Sequence, residues 1–388
     1  MAVRPHRGSV CGAVVLTLVL AAQFAWAERR RGIVIESHLG GRSVDLQQLV
    51  PPLIGELDSA GFYAHAREVT TVLERRHSQR GQSLSVKSVV RVNELVARAW
   101  NSWGDVRFRD ILGEANEAVE LMMSRPATLV TRPMLRPVLY KAYVLLALAN
   151  KRLGNPSRSD AAMDELVRTF PGKFDWQRYG PEALAIYKQR RKALNKRGKG
   201  VLRIKVSPAS AKVFVNGTFL SQKQRGGVKL YPGTYWVHTR TQVPGRLHKV
   251  VVKPNVVTSA HIRHSLDSML HTGEDFVGLM LPQSANRYKA QNRYAIEVGK
   301  AAEVPLVVVI NVDLVRGKVA LVGTVLQVSR QQIVRMAAVE VKPRAPTWDT
   351  LRNFGQFLAG TAKAESGVRV LSAEDRAELP SFRPIAAK

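Results

Sequence analysis

The residues with most to offer chemically in this chain of 388 residues are its cations. The formal net charge is +29, and the density of Lys and Arg peaks between Lys188 and Lys253. The stretch Gly200–Lys253 contains no acidic residue. A potential of one sign this strong recruits anions and speeds their encounter. Arg225, Lys229, Arg240, Arg246 and Lys249 are the candidate anion-binding cations, with Tyr231 and Trp236 among them. Aromatic faces beside Lys and Arg suit stacking on sugar rings combined with capture of an acid. The competing reading is a solvated basic surface with its aromatics in the core. Tyr235 belongs to the core in either case.

No arrangement for catalysis stands out. The chain lacks a nucleophile elbow, a phosphate loop and a His-Glu-x-x-His pair. His261 and His264 lie three apart, and a strand would turn such a pair to opposite faces. With His271 they are expected to be solvated near a linker rather than to hold a metal. Glu274-Asp275 reads as a polar loop before a strand, and Asp313 as an isolated carboxylate at a strand end. No catalytic residue, cofactor or metal is therefore expected.

The N-terminus carries Arg4 and Arg7, an apolar run from Val10 to Trp26, and the small-x-small triplet Ala25-Trp26-Ala27. This is the pattern of a secretory leader cleaved before Glu28. Retention of the run as a membrane anchor is the alternative. Cys11 is the single cysteine and lies in the leader, so disulfides and thiolate metal sites are excluded from the mature chain. Val304–Val312 reads as a buried strand. The expected location is the bacterial periplasm, in solution or associated with the envelope. On composition alone nucleic acid would be the first partner to consider, but export argues against it. Peptidoglycan carboxylates, lipopolysaccharide phosphates, acidic lipid headgroups and acidic polysaccharide remain.

The elements that must position these residues follow from periodicity. Leu46, Leu49, Val50, Leu53, Ile54 and Leu57 recur at helical spacing, with Pro51-Pro52 suggesting a kink or two shorter helices. Ile33–Ile35 is a short strand candidate, and its pairing partner is open. Helices are expected over 86–100, 105–123, 137–153, 158–170 and 182–196. The small residues of Tyr140–Ala149 would allow close helix approach, and this pair resembles a degenerate tetratricopeptide repeat. Val213–Val215 ends in Asn216-Gly217, a pair that tolerates positive φ in a tight hairpin. Pro232-Gly233 fits a type II turn, and Tyr235 and Val237 alternate with Trp236.

Together with Pro208-Ala209-Ser210-Ala211, these strands and turns resemble the PEGA domain, a non-catalytic β module of bacterial envelope proteins. Beyond a linker at Ser265–Gly273, a strand is expected at Phe276–Leu281 and a helix over 285–302. Strands over 306–314, 318–328 and 333–341 follow, then a helix over 348–358. This order resembles the α/β unit of TolB N-terminal and CsgG-like proteins.

The expected fold is multi-domain α+β. It comprises a leader (1–27), a helical repeat-like domain (28–198), a small β-sandwich module (199–264), a linker (265–273), a C-terminal α/β unit with a three-strand meander (274–375) and a tail (376–388). The resemblances imply a non-enzymatic envelope scaffold. Its helices would bind protein partners, and its basic β module would hold an anionic polymer such as peptidoglycan or polysaccharide. A periplasmic ligand sensor or carrier and an enzyme of unrecognised type are the alternatives.

Overall fold

Strand β1 (Gly32–Leu39) is buried along almost its whole length, with Ile33 and Ile35 fully enclosed. A strand hidden on both faces must lie inside a sheet. In a computed structural model, which describes residues 31–76, 78, 81–281, 287–342, 344–372 and 375, it does. The expected leader and tail lie outside those residues.

In chain order β1 is followed by α1 (Val44–Ser59), β2 (Phe62–Tyr63), α2 (Ala66–Arg76), α3 (Val86–Gly104), α4 (Phe108–Ser124), α5 (Thr128–Thr131), α6 (Leu135–Arg152), α7 (Pro156–Thr169) and α8 (Trp176–Arg197). Next come β3 (Gly200–Ser207), β4 (Lys212–Val215), β5 (Thr218–Leu220), α9 (Gln222–Arg225), β6 (Val228–Leu230), β7 (Gly233–Arg240), β8 (Pro244–Val252), β9 (Val257–Arg263) and α10 (His264–Met269). The chain continues with β10 (Leu270–Thr272), β11 (Val277–Leu281), α11 (Arg287–Ala302), β12 (Leu306–Val315), β13 (Lys318–Gln327), β14 (Gln332–Glu340), α12 (Trp348–Ala359) and β15 (Arg369–Val370). The protein is mixed α/β.

Two compact units result, and their boundaries differ from the expected domains. One joins the described residues up to Arg76 with those from Met269 onward; the other is residues 77–268. The first unit is built on one mixed sheet of order β10-β11-β1-β12-β13-β14-β15, with β2 also on β1. Strand β1 runs parallel to both neighbours, with Ile33 opposite Val307 and Glu36 opposite Gly278. Residues 32–76 therefore belong to the α/β unit and not to the helical domain. Helices α1 and α12 cover one face through Leu46, Val50, Leu53, Phe354 and Leu358, packed on Val34, Val308 and Ile310. Helix α11 packs on β1, β11 and β12.

Helix α1 is a single helix with Pro51 and Pro52 inside it, where a kink or two shorter helices were expected. Each proline strips a donor from the carbonyl four residues back. Those carbonyls belong to Gln47 and Gln48, both on the exposed side, where water can satisfy them.

In the second unit α3 packs on α4, α4 on α6, α6 on α7 and α7 on α8. The shared core includes Leu95, Ala115, Ala142, Leu145, Met163 and Leu166. Helix α8 is bent where Gly180 takes φ +81° ahead of Pro181. The sandwich places the sheet β6-β3-β9 against β5-β4-β7-β8. Leu202, Ile204, Val213, Val215, Tyr235, Val237, Val250 and Val252 form its core.

The chain passes from one unit to the other within the expected linker, residues 265–273, but that segment is not irregular. It forms α10 and β10, and Leu266, Asp267, Leu270 and Thr272 are buried. The stretch is short and polar, and only its tertiary partners show that it is inside.

Candidate basic and aromatic binding surfaces

The sandwich meets the helical layer at its two tightest turns. Asn216 and Gly217 take φ +47° and +75°, the double positive φ expected of the hairpin. The Arg136 guanidinium at the start of α6 donates to the Asn216 carbonyl at 2.7 Å and to the Thr218 hydroxyl at 2.9 Å. A Cβ on Gly217 would lie 2.7 Å from Arg136 Nη1 and 2.8 Å from Leu129 Cβ, so no larger residue fits. The second turn departs from expectation. Gly233 has φ +152°, not the value near +80° of a type II turn. The Arg168 stem packs against this glycine, where a Cβ would meet it at 2.8 Å. Beside it the Tyr231 hydroxyl donates to Asn195 Oδ1 at 2.9 Å, and Lys199 sits 4.5 Å above the Tyr231 ring.

These contacts divide the candidate anion-binding residues. Tyr231 is buried at the helix-facing turn. Arg225 is buried and donates to the Ala209 carbonyl at 3.1 Å. Arg246 is only 3% exposed and donates to Ser78 Oγ at 2.9 Å and to the Ser78 carbonyl at 3.0 Å. Neither arginine is available as a surface cation, which corrects the expectation from sequence. Backbone and hydroxyl oxygens accept from both guanidinium groups, which lowers the cost of burying them. Lys229, Arg240 and Lys249 are exposed, and Trp236 is half-buried opposite Lys249 on β8.

A larger cluster of aromatics bordered by cations lies on the helices, where the sequence offered only residues scattered over four segments; Phe174 and Tyr187 in it are buried in the helical core, while Trp100, Tyr140, Phe170 and Tyr179 are half-buried. Trp100 meets Tyr179 edge-on at 5.9 Å, and Tyr179 lies 5.6 Å from Tyr140. Tyr140 in turn meets Phe170 at 5.2 Å and Phe174 at 6.1 Å, and Phe174 stacks on Tyr187 at 4.8 Å. Cations border this ladder: Lys141 sits over Trp100 at 4.6 Å, Arg136 over Phe170 at 5.2 Å and Arg178 over Tyr179 at 5.8 Å.

Two grooves run along it and share Lys173. One, of about 360 Å³, is lined by Arg136, Tyr140, Phe170, Arg178 and Tyr179. The other, of about 440 Å³, is lined by Phe174, Tyr187, Lys188, Arg191 and Lys192. Asp175 is the one carboxylate in either lining. Burial pushes the Tyr140 hydroxyl up to about 12, and burial followed by the charge of Arg178 holds the Lys141 ammonium below its ordinary range. A groove this cationic raises the local concentration of anions, and its ring faces favour ligands with a flat apolar side.

Titratable groups are also buried in the sandwich end of this unit. His264, expected to be solvated, is 3% exposed, with its two ring nitrogens 3.0 Å from the Thr239 hydroxyl and 2.8 Å from that of Thr241. His248 Nε2 lies 2.6 Å from Asp267 Oδ2. His238 is 1% exposed, and neither of its nitrogens completes a hydrogen bond among the described residues. Burial drives its pKa down to about 4, with the nearby Asp267 and the Gly245 backbone too weak to offset it. His261 and His271 are exposed, so the three histidines do not converge. Among the described residues no group of three or more His, Cys, Asp or Glu is placed to hold a metal ion.

In the α/β unit Glu36 is buried and takes both bonds of the Arg42 fork, at 2.8 and 2.7 Å. Arg42 also pairs with Asp275 and lies over Phe276 at 4.8 Å. Asp275 thus has a structural partner, while Glu274 is exposed. Asp313 is fully buried, not isolated: it accepts from the Tyr288 hydroxyl at 2.7 Å. A cavity of about 210 Å³ at the carboxyl ends of β1 and β12 includes Ser37, His38, Asp45, Asp313 and Lys342 in its walls.

Among the described residues no helix is long and apolar enough to cross a membrane. No protein-family model matches the chain, and neither the curated proteins nor the solved structures hold a match to it.

Proposed function

We propose that this protein is a non-enzymatic scaffold of the bacterial envelope, exported to the periplasm, whose helix-and-sandwich unit holds an anionic polymer such as peptidoglycan or acidic polysaccharide. One observation carries the reading: a continuous ladder of aromatic rings bordered by cations, with a single carboxylate in the lining of its grooves. The resemblance of the sandwich to PEGA modules and of the helices to tetratricopeptide repeats supports the same reading, since both families act by binding. The helical layer offers faces for protein partners beside the grooves. Relative to the sequence, the binding surface shifts from the sandwich cations alone to the helices.

A ligand sensor or carrier is the second reading, and the 210 Å³ cavity of the α/β unit favours it. The buried histidines of the sandwich end, His238, His248 and His264, line neither groove nor that cavity, whereas the buried His38 is in the cavity wall.

The test is sedimentation of residues 28–388 with peptidoglycan sacculi across a salt series. A variant carrying Lys173→Gln, Arg178→Gln, Lys188→Gln and Lys192→Gln runs alongside. Binding that falls with salt and with the four substitutions is the expected result. Failure to pellet at low salt, or equal pelleting by the variant, removes the groove from the reading.

A further inference from the structure

The outer face of the β5-β4-β7-β8 sheet has a composition that packing does not explain. Val213, Val215, Tyr235 and Val237 point into the sandwich. Their neighbours along the strands therefore point outward. On that side Phe219, Phe214 and His238 form one row across β5, β4 and β7, open at Phe219 and closed at His238, which is buried beneath Gly81. Trp236 and Lys249 are directly opposite each other on β7 and β8, and Lys212 is opposite Arg240 on β4 and β7. Phe219 is 51% exposed and meets Phe214 edge-on at 5.8 Å. Lys212, Arg240 and Lys249 are all exposed.

Their charge is unspent. In the helical layer the arginines have acids to hand: Arg91 bonds Glu117, Arg98 bonds Glu114, and Arg190 bonds both Asp160 and Asp164. On the sheet Lys212, Arg240 and Lys249 form no ion pair among the described residues, because the stretch Gly200–Lys253 supplies no acid. An exposed phenylalanine on a rigid sheet beside unpaired cations is not what solubility requires.

We propose that this face is a second binding site, a platform for carboxylated sugar rings. The C–H face of one pyranose packs on Phe219 and that of another along the chain on Trp236, two strands away, and the carboxylates they carry are met by Lys249, Lys212 or Arg240. A phosphate chain would use the cations but leave the rings idle, so the rings select the saccharide. The inference rests on the anionic-polymer reading and names the class of polymer. It also adds a surface to the grooves, so that a long chain engaging both would bind more tightly than either site allows.

The experiment titrates the whole mature chain with oligogalacturonate and follows tryptophan fluorescence and calorimetry. A neutral oligosaccharide of equal length and a polyphosphate serve as the other two probes. Oligogalacturonate is expected to bind at least about tenfold more tightly than the neutral oligomer. Phe219→Ala, at an exposed position, is expected to weaken it about tenfold or more, and Lys249→Gln to weaken it less and to flatten its salt dependence. Polyphosphate binding should not respond to Phe219→Ala. Unchanged oligogalacturonate affinity in Phe219→Ala overturns the platform, as does equal binding of the neutral oligomer or no binding at all. The fourfold groove variant separates the two readings. If it alone abolishes binding, the grooves survive and the platform does not; if it leaves a Phe219-dependent component, the platform stands without them.

Discussion

The sandwich presents two surfaces made from the same residue types, and they have opposite fates. At the helix-facing turns every charged or aromatic group is committed: Arg136 to the Asn216 carbonyl, Arg168 to the flank of Gly233, Tyr231 to Asn195. On the outer sheet face Phe219, Lys212, Arg240 and Lys249 have no such commitments and remain exposed. The difference separates cations that hold the fold from cations that can hold something else. It also means that substitutions on the two surfaces should report different things: stability on the first, binding on the second.

The sharpest break comes at the turn. Gly217→Val forces a β-branched residue to φ +75° and drives its Cβ into Leu129 and Arg136. Strain and overpacking together should cost about 3–5 kcal/mol. Urea denaturation followed by far-UV circular dichroism should show the 77–268 unit lose most of its margin. Retention of wild-type stability would mean that the hairpin does not seat on α5 and α6.

Acid should weaken the same unit through His238. Its folded pKa of about 4 lies below the ordinary 6.5, so the folded state binds fewer protons than the unfolded one. Its effect is absent above about pH 6.5, and stability falls as pH drops from there toward 4, by up to about 3 kcal/mol. His264, also lowered by burial, adds to the loss with the same sign. His238→Phe should flatten this slope in melting temperatures measured between pH 7 and 4.5. An unchanged slope would assign acid sensitivity to other groups.

Arg246→Met preserves much of the buried stem but leaves the Ser78 hydroxyl and carbonyl without their donor. A cost of about 2 kcal/mol is expected, read as a lower urea midpoint at an unchanged slope.

How much of this was legible in the sequence depends on how local the signal is. Asn216-Gly217 announces its turn because the conformation lies within the two residues. The short apolar runs between turns over Leu306–Val341 mark their strands for the same reason. Strand β1 could be seen as a strand but not placed, since its partners Val307 and Gly278 lie more than two hundred residues away and hydrophobicity alone does not choose among edges. Arg225 and Arg246 looked like surface charge because the oxygens they donate to, on Ala209 and Ser78, are backbone or hydroxyl groups with no sequence signature. The aromatic ladder was hidden by dispersal from Trp100 to Tyr187. Phe219 did carry a signal: with Phe214 it falls on the outward side of strands whose inward side is already filled by Val213 and Val215.

The smallest effect on stability should come from Lys249→Gln. Its ammonium is exposed and forms no ion pair among the described residues, so folding gains little from it and the change should stay within about 0.5 kcal/mol. Its partner across the strands is Trp236, whose ring keeps its packing when the charge is removed. A loss of acidic-sugar affinity without a shift in the urea midpoint would therefore place Lys249 among the cations free to bind. A parallel loss of stability would move it to the committed set, with Arg136 and Arg246. The two surfaces of the sandwich would then no longer differ in kind, and nothing would single out the outer face for a ligand.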